Sequence, residues 1–158
     1  MENLVSKADF LQNRYIGVLN GLSEDAPRKW GKMNVRQMIE HMSDYVRIAN
    51  GRTLLSILTP EDRLEKLRGF LMSEKPMPEN TTNALMPETP APVKHADKQS
   101  AIEELKKELS HFFEVHQNEQ GRTTANPFFG MLDYDMQVQL LYKHATHHLR
   151  QFGVEDFN

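Results

Sequence analysis

The chain contains no cysteine. That removes disulfides, thiolate metal sites and a cysteine nucleophile together. It also lacks a strong charge of either sign. The formal net charge is −3, so there is no basic field to hold nucleic acid and no acidic block to act as a solvating tail. No apolar run approaches the roughly 20 residues that cross a bilayer as a helix. The first residues, Met1-Glu2-Asn3-Leu4-Val5-Ser6-Lys7, lack a basic start followed by an apolar stretch, which argues against a signal peptide. Glycine-rich phosphate loops, nucleophile-elbow serines, internal repeats and alternating strand patterns are missing as well. These absences lead to the expectation of a cytoplasmic protein whose partners are neither nucleic acid nor membrane.

What is present is a globular composition. The chain has 158 residues, 39% hydrophobic and 26% charged, enough for one domain with one core, spanning residues 1–158. Periodicity predicts four long amphipathic helices. The first runs from about Ser6 to Asn20, with Phe10, Leu11, Tyr15, Val18 and Leu19 at helical spacing, Ser6 as cap and Gly21 as stop. A polar connection follows, holding the only tryptophan, Trp30, whose large apolar area suits it to plug one end of the core. Asn34 and Gln37 form a capping box for the second helix, which runs from Val35 to about Asn50 and ends at Gly51.

A short helix begins with Pro60 as its first residue and reaches about Phe70 or Leu71. From residue 73 to 97 the prolines at 76, 78, 87, 90 and 92 break any regular element. A loop of this length in a compact domain is expected to lie across it as a strap, with Leu85 and Met86 to bury. Ser100 and Glu103 form a capping box for the third long helix, which reaches about Gln117. Residues 118–132 read as a loop, and Asp133 or Tyr134 starts the last helix. The expected fold class is all-α, a helical bundle.

Three of the seven histidines fall close together in this last helix, at 144, 147 and 148. With His144 set at 0°, the 3.6-residue period puts His148 at about +40° and His147 at about −60°. The apolar arc of Leu140, Leu141, Ala145, Phe152 and Tyr134 is centred at about +30°. His144 and His148 therefore point inward, and His147 sits at the rim. Two desolvated imidazoles one turn apart carry four ring nitrogens to satisfy. A shared metal does this directly; hydrogen-bonded core partners are the alternative. The spacing is not that of a zinc protease, because Ala145 stands where the catalytic glutamate would be. No catalytic acid or base is built into the pair, and no catalytic residue is assigned. His111 and His116 are five apart and do not share a face. His41 lies at the edge of the second helix's apolar arc, and its spacing alone makes it an ordinary rim residue.

Glu40-His41-Met42 on the second helix, followed by His144-Ala145-Thr146-His147-His148-Leu149-Arg150-Gln151-Phe152-Gly153 on the last, resembles the DinB/YfiT-like superfamily. The segment Pro127-Phe128-Phe129-Gly130 and the His-His-Leu-Arg-Gln-Phe-Gly ending are similar to a branch known as a domain of unknown function. The resemblance implies an up-down-down-up four-helix bundle. It also implies one divalent metal, zinc, nickel or similar, held by three histidines that map onto His41, His144 and His148. Three neutral nitrogen ligands leave open positions, the form of a catalytic rather than a structural site. Some relatives are metal-dependent transferases or isomerases that use low-molecular-weight thiols such as bacillithiol, mycothiol or glutathione, and relatives are often dimers. The expected function is a metal-dependent hydrolase or thiol transferase acting on an unknown small molecule. The alternatives are a non-catalytic, metal-stabilised binding or stress-response module and a metal-free interaction bundle. Gln37 and Gln151 are candidates to orient the imidazoles and Tyr45 to shape the pocket; packing or capping is the simpler role for each.

Overall fold

Asn3 opens the first helix: its side chain accepts from the Ser6 N–H at 2.9 Å, so the cap lies three residues before Ser6. Asparagine caps at least as well as serine, and the Ser6 hydroxyl instead donates back to the Asn3 carbonyl. Helix α1 comprises Leu4–Asp9, a π-helical turn Phe10–Arg14, and Tyr15–Gly21. The wider turn re-phases the apolar face, and Phe10, Leu11, Tyr15 and Leu19 are all buried. The computed structural model describes residues 3–79 and 89–157; Leu85 and Met86 lie outside them.

Helix α2 (Val35–Ala49) carries the expected capping box, Asn34 Oδ1 accepting from Gln37 N–H and Gln37 Oε1 from Asn34 N–H. It ends at Asn50, where Gly51 turns into the left-handed region at φ +86°. Helix α3 (Glu61–Met72) begins one residue after Pro60, whose backbone is still extended (ψ 142°). Helix α4 (Lys98–Asn118) also starts earlier than Ser100: Asp97 accepts from the Ser100 N–H at 2.7 Å, which places Ser100 inside the first turn. Helix α5 (Tyr134–Gln151) is capped by Asp133, which accepts from Met136 N–H.

Helix α2 packs chiefly on α4 and α1 on α5, and contacts of α1 with α4 and of α2 with α5 join the two pairs. Tyr15, Met38, Phe112 and Leu141 belong to the one large apolar cluster they enclose. A smaller cluster, Leu71, Leu132 and Leu140, seats α3 on the other side of α5.

The structure adds a small sheet to the expected helices. Strands β1 (Thr124–Asn126) and β2 (Gly130–Leu132) pair antiparallel, with Thr124 opposite Leu132. Pro127-Phe128-Phe129-Gly130 is the turn between them: Asn126 Oδ1 accepts from the Phe128 and Phe129 N–H groups, and Gly130 has φ +84°. Strands of three residues are too short to show alternation, which is why the stretch reads as a loop in the sequence. The chain is thus mostly helical with a two-stranded sheet. Among the described residues no helix is long and apolar enough to cross a membrane.

The described end of the long connection does lie against the domain. Glu40 on α2 accepts from the Lys94 N–H at 2.8 Å, the His95 N–H at 2.8 Å and the His95 ring at 2.6 Å. Gln37 Nε2 donates to the Ala91 carbonyl at 3.0 Å. Residues 91–95 are therefore bound along the N-terminal half of α2, the half that carries His41.

Candidate metal centre

Leu141, Ala145 and Leu149 bury the inner face of α5. That sets the rotation of the helix, and with it the direction of the two histidines on the same face. His144 is 7% exposed and His148 4%. On α2 the buried Met38, Met42 and Val46 fix the register in the same way and leave His41 half-buried at the edge. The two edges meet. His41 Nε2 lies 3.0 Å from His144 Nε2. The ring centroids are 4.9 Å apart for His41 and His144, 4.8 Å for His41 and His148, and 4.7 Å for His144 and His148. One ligand atom from each residue falls within 4.8 Å of the others, so the three histidines can hold a metal ion.

Burial makes all three imidazoles poor bases. Desolvation, with a smaller push from His147, brings His41 down to about 4. Burial first, and the neighbouring imidazoles second, hold His144 well below the ordinary histidine range. Burial and the charge of His41 do the same for His148, against the opposing hydrogen bond to Gln151. The cluster is therefore a set of neutral nitrogen donors at neutral pH, the protonation state that metal ligation needs. His148 Nε2 is buried and has no hydrogen-bond partner among the described residues, while its Nδ1 is 2.9 Å from Gln151 Oε1. A buried ring nitrogen left without a partner costs about 1–3 kcal/mol unless something occupies it.

The remaining residues sort by distance. Tyr45 lies against the cluster, its ring centroid 4.8 Å from His41 and 4.7 Å from His144. His147 stays outside it, half-buried and packed on Trp30 at 5.6 Å. Gln37 is occupied by its capping box and Ala91, so it does not orient an imidazole. Gln151 does, through His148. His116 is buried between Phe112 and Tyr134 on the far part of α4, and His111 is half-buried there; neither joins the cluster. Sequence reasoning missed Glu40 and His95 as a clasp beside His41. The adjacency of Glu40 to His41 was visible, but the partner fifty-five positions away was not.

The family model described as Protein of unknown function (DUF1569) matches residues 16–155, nearly the whole chain. No curated protein and no solved structure matches it.

Proposed function

This chain belongs to the DUF1569 family of proteins of unknown function, and from that premise we propose that it is a metalloprotein in which His41, His144 and His148 hold one divalent ion such as zinc or nickel. The observation that carries the reading is the convergence of three neutral imidazoles, together with a buried His148 Nε2 that has no hydrogen-bond partner among the described residues. That donor set fits an ion of borderline softness that takes imidazole nitrogen. We assign the architecture to the up-down-down-up bundle of DinB/YfiT type. The motif likeness supports this, as does the pairing of α2 with α4 and α1 with α5.

The chemistry proposed is that of a metal-dependent hydrolase or low-molecular-weight-thiol transferase, in a cytoplasmic protein and as a homodimer. An ion with three neutral protein ligands keeps coordination for an exchangeable group and supplies Lewis acidity, the means by which a weakly acidic thiol or water becomes reactive near neutral pH. The chain's own contribution is steric and electrostatic. The three imidazoles add no charge of their own, so the full positive charge of a bound ion acts on its ligand. Tyr45 shields one side of His41 and His144.

A second reading, a binding module stabilised by metal without turnover, is favoured by one observation: among the described residues the cluster consists of histidines alone, with no carboxylate to act as acid or base. Elemental analysis of untagged protein, followed by turnover of electrophile–thiol conjugates with and without metal, separates the two. One divalent ion per chain together with metal-dependent turnover supports the enzyme. Bound metal that raises the melting temperature while every conjugate stays intact supports the module.

A further inference from the structure

We infer that Gln151 is a positioning residue: its side-chain amide, oriented by the Trp30 carbonyl, fixes His148 as the Nδ1–H tautomer and so presents a bare Nε2 to the cluster. Gln151 is buried in the last turn of α5, three residues after His148. Its amide is held between two groups. Nε2 lies 2.9 Å from the Trp30 carbonyl and Oε1 lies 2.9 Å from His148 Nδ1.

A backbone carbonyl can only accept, so the end of the amide that faces it must be the NH₂ group. The flipped amide would set two acceptor oxygens against each other at that distance. The oxygen therefore faces His148, and it too can only accept. His148 Nδ1 must carry the hydrogen, and in a neutral imidazole the other nitrogen is then a lone pair. That other nitrogen is Nε2, the buried atom without a hydrogen-bond partner among the described residues.

A second, independent set of contacts holds the carbonyl in place. The Lys29 N–H donates to the Gln151 main-chain carbonyl at 2.7 Å, so residues 29–31 grip Gln151 by both main chain and side chain. Gly31 is at φ +79°, a conformation that favours glycine, and a Cβ there would overlap the Gln151 amide nitrogen. Both constraints at residue 31 protect the same amide. The connection between α1 and α2 thereby sets the tautomer of a histidine on α5.

This role rests on the reading of the three histidines as a metal site, and the test separates the two. Nitrogen-15 NMR of the imidazoles in metal-free protein near pH 7 reads the tautomer, and calorimetric titration with zinc reads the affinity. Wild type should show His148 with hydrogen on Nδ1. Gln151→Met, similar in length but without the acceptor, should give a mixture of tautomers and bind zinc roughly 10- to 100-fold more weakly. Gly31→Ala should move both readouts in the same direction from outside the helix. A packing role alone would lower the melting temperature and leave the tautomer unchanged. Hydrogen on Nε2 in wild type, or a Gln151→Met variant with tautomer and affinity both unaltered, overturns the inference. Wild type that shows Nδ1–H but binds no zinc overturns the metal site and leaves the tautomer assignment standing.

Discussion

Acid should unfold the metal-free protein through the same three histidines. In the unfolded chain each titrates near 6.5. In the folded chain burial keeps His41 neutral down to about 4, and His144 and His148 are also held well below the ordinary range. Below about 6.5 the unfolded state therefore binds more protons than the folded one, and stability falls as pH falls. The stabilisation is complete above about 6.5. For His41 it is lost across the window from about 6.5 to about 4. Each such histidine contributes a slope approaching about 1.4 kcal/mol per pH unit. Lowering the pH from 7.5 to 5.5 then costs up to about 1.4 kcal/mol for His41, an upper figure because it is only half-buried, and His144 and His148 add to the cost in the same direction. Even the His41 part is a measurable share of the roughly 5–15 kcal/mol that holds a domain folded. Urea unfolding at the two pH values in the presence of chelator measures it. His144→Leu should reduce the pH dependence, because it removes one of the imidazoles that burial keeps from protonating. Identical pH dependence in wild type and His144→Leu would refute the reasoning.

Two further outcomes test the frame around the site. Asn34→Ala removes the cap that starts α2, and should cost about 1 kcal/mol and lower the melting temperature by about 2–4 °C, measured by scanning calorimetry. Glu40→Gln removes the charge that holds two backbone N–H groups and the His95 ring, and amide exchange at Lys94 and His95 should accelerate. Unchanged protection at those two amides would show that the strap is held by other contacts.

The inward pair on α5 was legible because a helix converts spacing into direction, and its long apolar arc left little freedom in phase. His144 and His148 are buried and His147 stands at the rim, as that phase requires. His41 was not legible in this way. At the edge of an arc a small rotation decides between solvent and neighbour, and only the packing of α2 and α5 settles it. The starts of α1 and α4 were misplaced for a local reason. Ser6 and Ser100 each follow an equally good cap by three residues, Asn3 and Asp97, and both serines donate their N–H to it. The β1–β2 hairpin escaped because its information sits in the Asn126 and Gly130 turn and not in a periodic pattern. Gln151 carried a hint in its position three residues after His148, but its orientation depends on the carbonyl of Trp30, which no local spacing connects to it.

The coordination sphere of the metal-loaded protein tests the central claim most directly. X-ray absorption on zinc- or cobalt-loaded wild type should show three imidazole ligands per ion and at least one exchangeable light-atom ligand, and His144→Ala should lose an imidazole together with most of the bound metal. An ion bound by fewer imidazoles, or one whose sphere and occupancy are the same in His144→Ala as in wild type, would contradict the account.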